Sequence, residues 1–348
     1  MKIKKILFVT QDSGRYYSDL GESYNREFKQ LNYNVIKYNL AGSNNRVLNF
    51  IANNITSKLV LKDTNNKLIQ FVKQYKPDLI FVGKGSYLLP ETILKIKGFF
   101  PDVLIICFNP DDPYNQEASN NSIRDSIKYF DAYFSYSKKL ALTIKIRENK
   151  SNVFYLPFAA DTDIIYPTII TDYDKKVFDC DVSFIGNGDS ERHNFISNLD
   201  TLYSKELNKL NYFKIYGSNW KKLKNIKLNK SMEGLSMLKV FSGSKININI
   251  LRTQNKNSHN MRTFEIPAAK GFMLHERSEE ALEFFEEGKE ADYFSNHEEL
   301  MEKIKFYLNH ETLRIKIAEA AYSKIFKANY TYIERVSQLM NCIYKLSN

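Results

Sequence analysis

Arg262 and Glu265 stand three residues apart in NMRTFEIPAAKGFMLHE, residues 260–276. If this stretch opens a helix, both side chains project from one face of its first turn. A carboxylate set among Phe264, Ile266, Pro267 and Ala268 must be solvated, paired or used, because an isolated buried charge is strongly unfavourable. Glu265 can accept two hydroxyls of a ribose while Arg262 meets a phosphate, each bond being charge-assisted. It can equally form an ordinary ion pair with Arg262 inside the helix. The small residues Ala268, Ala269 and Gly271 leave room for something else to approach.

The segment SFIGNGDSERHNFI, residues 183–196, reads as a strand, a turn with Gly186 and Gly188, and a helix opening near Ser190 with Arg192 in its first turns. Free amides and the positive dipole end of such a helix favour a phosphate, and glycine permits close approach. A tight turn that needs glycine only for positive φ is the competing reading. In the first half, CFNPDDPY ends a strand, which puts Asp111 and Asp112 at a sheet edge as candidate general bases for a hydroxyl. The alternative is a turn in which aspartate side chains cap backbone amides. Gly14, Arg15 and Asp19 follow the first strand as further candidates, with Asp19 a third catalytic carboxylate, and Lys84 ends another strand.

Elements must bring these residues to an edge. KILFVT (5–10), NVIKY (34–38), DLIFVG (78–83), VLIICF (103–108), AYFSYS (132–137) and VFYLP (153–157) are short and almost continuously apolar or β-branched. Strands of a parallel sheet covered on both faces look like this. Helix candidates Ser18–Gln30, Arg46–Tyr75, Pro90–Phe100 and Ser137–Glu148 alternate with them, which predicts a doubly wound α/β domain with its ligand edge at the strands' carboxyl ends. Around residues 158–181 the periodicity lapses and Asp161, Asp163, Pro167, Asp172 and Asp174 cluster, as expected of a linker. A second alternation follows. The expected organisation is an acceptor-side domain over 1–165, a nucleotide-binding domain over 166–330, and a closing helix over 331–348 that packs back towards the first domain.

With 348 residues and 43% hydrophobic side chains, the chain can build two cores. Its formal charge of +10 lies mostly in the first half and suits an anionic partner, a nucleotide or an anionic membrane surface. The stretch 136–150 has the charge of an amphipathic anchor, or of a solvated helix covering a sheet. No nucleic-acid module is present, so no nucleic-acid partner is expected. No apolar run approaches the roughly 18 residues of a membrane span. Three widely separated cysteines point to a reducing, cytoplasmic compartment, at most peripheral at the inner membrane face. His193, His259, His275, His297 and His310 lack zinc-like spacing, with His259 placed to line a cleft or sit exposed on a loop. Neither a serine-hydrolase elbow nor a Walker lysine motif occurs.

From Asn260 onward, NMRTFEIPAAKGFMLHE, EEGKEADYFSNHEELMEKIKFYL and RIKIAEAAYSKIFKANYTYIERV resemble the C-terminal half of CgeB-like glycosyltransferases, named after spore maturation proteins, in the GT-B superfamily. VSFIGNGDSERHNFI and FKIYGSNW are similar to the preceding strands of that family, whereas the first half is similar only in its alternation and in FNPDDPY. The resemblance implies two facing Rossmann-like domains with a cleft between them. It implies a nucleotide-sugar donor on the second domain and an acceptor on the first, with no cofactor and no obligatory metal. It puts Glu265 on the donor ribose, Arg262 and Arg192 near the diphosphate, and Gly186 and Gly188 beneath it. Where related enzymes carry another glutamate eight residues before the ribose-binding one, this chain has Asn257, which removes any inherited contact to the transferred sugar.

The expected function is transfer of a sugar from a nucleotide-sugar to a hydroxyl of a glycan, lipid-linked sugar or protein, as in polysaccharide biosynthesis. A non-catalytic nucleotide- or glycan-binding protein in surface assembly, or a nucleotide-sugar epimerase, would share the fold.

Overall fold

Both sheets are parallel throughout, and each has its own helices. The structure, a computed structural model, describes residues 2–10, 20–40, 57–116, 118–210 and 212–346. Two compact units divide the chain: Met1–Pro157 with Tyr332–Asn348, and Phe158–Thr331.

In the first unit, strands β1 (Lys5–Thr10), β2 (Asn34–Asn39), β3 (Leu79–Gly83), β4 (Leu104–Asn109), β5 (Ala132–Ser135) and β6 (Val153–Tyr155) pair in the order β2-β1-β3-β4-β5-β6. Ile6 lies beside Val35 on one flank and Leu79 on the other. β3 reads LIFVG and is buried along four of its five residues, since helices cover both faces. The chain winds one way from β1 to β2 and the other way from β3 onward. The reversal falls between β1 and β3, where diverging connections leave a crevice at the carboxyl ends. Leu7, Ile80, Ile105 and Val72 belong to this unit's core.

The second unit repeats the plan. Strands β7 (Cys180–Ile185), β8 (Phe213–Tyr216), β9 (Lys227–Asn229), β10 (Ser244–Asn249), β11 (Met273–Glu276) and β12 (Asp292–Phe294) pair in the order β12-β11-β10-β7-β8-β9. Here the reversal lies between β7 and β10. β7 is buried at every residue, and Val182, Phe184, Ile215, Ile248 and Leu274 join one core. The α/β, doubly wound architecture expected from the alternating sequence is therefore present twice.

One segment differs from its sequence reading. The aspartates at 172 and 174, expected in a linker, begin a helix, Asp172–Phe178. Thr171 Oγ1 accepts from Asp174 N at 3.2 Å while Asp174 accepts from Thr171 N at 3.2 Å, a reciprocal cap that satisfies two amides the first turn leaves open. The last helix, Tyr332–Leu346, belongs to the first unit and buries Tyr332, Val336, Leu339, Met340 and Ile343. Just before it, within the second unit, Ala160 N donates to Tyr330 O at 2.8 Å and Ala160 bridges Thr331. The two chain passages at the unit boundary are tied together there.

Candidate functional site

The turn after β7 is built around close backbone approach. Gly186 N donates to Tyr216 O and Gly188 N to Ser218 O, both at 2.9 Å, while Trp220 Nε1 donates to Gly186 O at 2.9 Å. Neither glycine has positive φ. A Cβ on Gly188 would stand 2.6 Å from Asn219 O, and one on Gly186 would stand 2.8 Å from the Phe184 ring. The glycines thus let two turns interlock, a role distinct from both sequence readings, and their amides are already used.

Charge is supplied by side chains. Asp189 caps the helix Ser190–Leu202 by accepting from Arg192 N at 2.9 Å. Arg192, on that helix's first turn, crosses the sheet's reversal point: its Nη2 donates to Ile250 O, just past β10, at 2.6 Å. Its guanidinium also lies over the Phe184 ring at 5.4 Å. Arg252 Nε stands 3.5 Å from Asp189 Oδ2. Burial pushes the Arg192 guanidinium down to about 10, with repulsion from Arg252 and Arg262 acting the same way and Asp189 and Glu276 opposing it. Three guanidinium groups therefore share one end of the sheet, and the Nε atoms of Arg192 and Arg262 are buried with no hydrogen-bond partner among the described residues. Unmet cationic donors at a sheet's reversal point are what an anionic ligand would satisfy.

The helix Arg262–Ala268 runs back from this edge towards β11. Arg262 Nη1 ion-pairs with Glu265. The carboxylate side chain is 3% exposed and the guanidinium 25%. The intrahelical pair envisaged from the spacing is formed, and the carboxylate is buried beneath its arginine. Ahead of the helix, Asn249 and Asn260 exchange amide hydrogen bonds at 2.8 and 3.0 Å. Thr263 Oγ1 lies 2.9 Å from His275 Nε2. Glu276, ending β11, accepts from Leu251 N at 2.8 Å and pairs with Lys256. His259 is fully buried, neither lining an opening nor exposed: its Nε2 accepts from Phe158 N at 3.1 Å and its Nδ1 faces Glu280 at 3.1 Å.

In the first unit, Asp111 Oδ2 accepts from Lys84 Nζ at 2.7 Å. Asp112 Oδ1 accepts from Tyr114 N at 2.8 Å, so its carboxylate closes the NPDDP turn as the capping alternative foresaw. Lys84 itself has φ of 65°, and its amide donates to Phe108 O at 2.8 Å. Gly14, Arg15 and Asp19 lie outside the described residues. A cavity of about 370 Å³ opens at the carboxyl ends of β1, β3 and β4, lined by Thr10, Tyr24, Lys84 and Pro110 among others. Sequence reasoning missed Arg252, Glu276, Thr10 and Tyr24. The first three end or just follow strands β10, β11 and β1, so the carboxyl-end rule applied to every strand would have found them, whereas Tyr24 carries no such signal.

Fold and charge together define a two-unit α/β protein of the GT-B glycosyltransferase fold with a cationic edge on its second sheet. Residues 192–341, less than half of the chain, match the family model described as glycosyl transferase-like. Among solved structures, a glycosyltransferase from Rickettsia africae ESF-5 superposes with a TM-score of 0.70 at 14% identity over 100% of both chains. The Anabaena protein HepE in complex with UDP gives a TM-score of 0.65 at 12% identity, over 98% of this chain and 100% of that one. Sucrose-phosphate synthase from Thermosynechococcus elongatus gives 0.68 at 11% identity over 99% of each. No curated protein matches the chain by sequence.

Proposed function

We propose that this protein transfers a sugar from a nucleotide-sugar donor to a hydroxyl group. The observation that carries the reading is the set of Arg192, Arg252 and Arg262 at the reversal point of the second sheet, with two buried guanidinium nitrogens unpartnered among the described residues. It is supported by the glycosyl transferase-like match over the same stretch and by structural neighbours of this fold that hold UDP or UDP-glucose.

Departure of a nucleoside diphosphate builds negative charge on its phosphate oxygens. Buried guanidinium groups meet that charge more strongly in the transition state than in the ground state, which is the part of binding that accelerates reaction. The arginines then do the neutralising work that a divalent metal would otherwise supply, and no obligatory metal is part of the proposal. Glu265 serves the ribose by exchanging its Arg262 partner for two sugar hydroxyls, which frees Arg262 for the diphosphate. Asp111 and Asp112, with Asp19, are the carboxylates from which the base for the acceptor hydroxyl is drawn. Gly186 and Gly188 shape the turn beneath the donor.

The acceptor side belongs to the first unit. Helix Lys138–Arg147 exposes Leu142 and Ile146 beside several lysines, which fits docking on an anionic membrane that carries a lipid-linked or glycan acceptor. The proposal places the protein at the cytoplasmic face.

Titration with UDP-, GDP-, dTDP- and CMP-sugars tests the reading. One nucleotide class binds, and Glu265→Gln weakens it roughly ten- to a hundred-fold, the worth of one or two charge-assisted bonds, with the far-UV spectrum unchanged. Equal donor affinity in wild type and variant would remove Glu265 from the site, and no binding of any nucleotide-sugar would remove the function.

A further inference from the structure

Arg262 and Glu265 lie on a helix too short to hold its own place. Arg262–Ala268 has seven residues, Met261 gives it no side-chain cap, and Pro267 lacks the amide that would close onto the Thr263 carbonyl. A helix of this length is marginal alone and takes its position from its surroundings. Four side chains hold its first turn. Asn260 Oδ1 accepts from Thr263 N and Thr263 Oγ1 accepts from Asn260 N, each at 3.2 Å, a reciprocal cap that satisfies amides the first turn leaves open.

The cap is anchored to both neighbouring strands. On the β11 side, the Glu276 carbonyl accepts from His275 Nδ1, which leaves Nε2 to accept from the Thr263 hydroxyl at 2.9 Å. Burial lowers the imidazole to about 4, so the ring is neutral near neutral pH. On the β10 side, Asn249 Nδ2 donates to Asn260 Oδ1 at 3.0 Å, and Asn260 Nδ2 returns a bond to Asn249 Oδ1 at 2.8 Å. Asn249, Thr263 and His275 are buried, and each polar atom of the four side chains has a partner. Next after Asn249 is Ile250, whose carbonyl accepts from Arg192, and Leu251 N donates to Glu276. One network thus ties the Arg262–Glu265 pair to the strand ends that hold Arg192.

We propose that Asn249, Asn260, Thr263 and His275 are positioning residues of the donor site, with the Thr263 hydroxyl at their centre, and that they keep Arg262 and Glu265 in register with Arg192. Their role towards a donor rests on the transferase reading; the network itself does not. Thr263 is fully buried and its hydroxyl is committed to His275 and Asn260, so it acts on a ligand only through its neighbours. Groups displaced by about 1 Å from their productive place lose roughly a hundred-fold of their effect, and a fully satisfied polar network resists that displacement.

A double-mutant cycle on the full chain, titrated with the nucleotide-sugar that wild type binds, tests this. Thr263→Val keeps the volume and loses the hydroxyl, whereas Thr263→Ser keeps the hydroxyl. Thr263→Val raises Kd roughly ten- to a hundred-fold and Thr263→Ser less than about two-fold. On a Glu265→Gln background Thr263→Val adds at most about three-fold, because the carboxylate it positions is gone. Asn249→Ser runs the same cycle and decides the matter where Thr263→Val does not fold. An unchanged Kd in Thr263→Val, an equal rise in Thr263→Ser, or the full factor repeated on the Glu265→Gln background overturns the proposal. A lower melting temperature with unchanged affinity overturns it too, since that is the behaviour of a network that only supports the fold. Absence of binding by wild type to every nucleotide-sugar overturns the transferase reading and the positioning role with it, whereas wild-type binding that the variants leave unaltered overturns the positioning role alone.

Discussion

The two ends of the Arg262–Glu265 pair are unequally placed, and their removal should cost unequal amounts. Glu265 is 3% exposed and has little water to return to, whereas Arg262 keeps 25% of its side-chain surface. Arg262→Met therefore leaves an uncompensated buried carboxylate, a loss of about 3–5 kcal/mol. Glu265→Gln leaves a guanidinium that rehydrates, a loss of roughly 1–2 kcal/mol. Urea denaturation of both variants near neutral pH checks the order. Equal losses would mean the carboxylate has another stabilising partner. At this scale the sequence was informative about pairs and poor about partners. Three-residue spacing announced Arg262 with Glu265, but nothing in it could reveal that Arg252, ten positions earlier, would approach Arg192 through Asp189. Contacts of that kind exist only once β7 and β10 lie side by side.

Among the elements, the join between the helix Arg262–Ala268 and β11 carries a pH signature. His275 is fully buried, with Nε2 against Thr263 Oγ1 and Nδ1 against the Glu276 carbonyl, so the neutral ring satisfies both neighbours. Burial first, then proximity of His259, lowers its pKa from 6.5 to about 4, while the Glu276 carbonyl opposes the shift. Between those values the unfolded chain binds the proton and the folded chain does not. Stability is therefore complete above pH 6.5, falls as pH drops to about 4, and changes no further below it. The full amplitude is about 3 kcal/mol. Thermal melts from pH 8 to 3.5 on wild type and His275→Gln isolate it, since the variant lacks this slope; identical slopes would show that His275 titrates normally. The strands themselves were legible before any coordinates, because a strand buried on both faces must be apolar along its length. The helix at Asp172–Phe178 was not, because its acidic, unpatterned start reads as a solvated connection until the Thr171–Asp174 cap is seen. The Gly186 and Gly188 turn misled for a related reason: glycine admits both positive φ and close approach, and only the neighbouring Asn219 carbonyl distinguishes them.

For the whole molecule, the two halves of the alternation were readable as two sheets, and a closing helix turned back towards the first was part of that reading, though not which of its side chains the first unit would bury. Tyr332–Leu346 follows directly on the second unit yet gives Tyr332, Val336, Leu339, Met340 and Ile343 to the first, with the Tyr332 ring 5.4 Å from Tyr24. Each such side chain contributes about 1.5–3 kcal/mol on burial, against a typical domain stability of about 5–15 kcal/mol. Ending the chain at Thr331 should therefore unfold or loosen the first unit. The second unit, whose core uses none of these residues, should keep its own transition and the nucleotide-sugar binding proposed for it. Hydrogen exchange resolves the outcome by segment: in the shortened chain β1 to β6 lose protection, and β7 to β12 retain it and gain more on addition of a nucleotide-sugar, as mass action requires. Retained protection across β1 to β6 would show that the helix covers the first unit without supporting it.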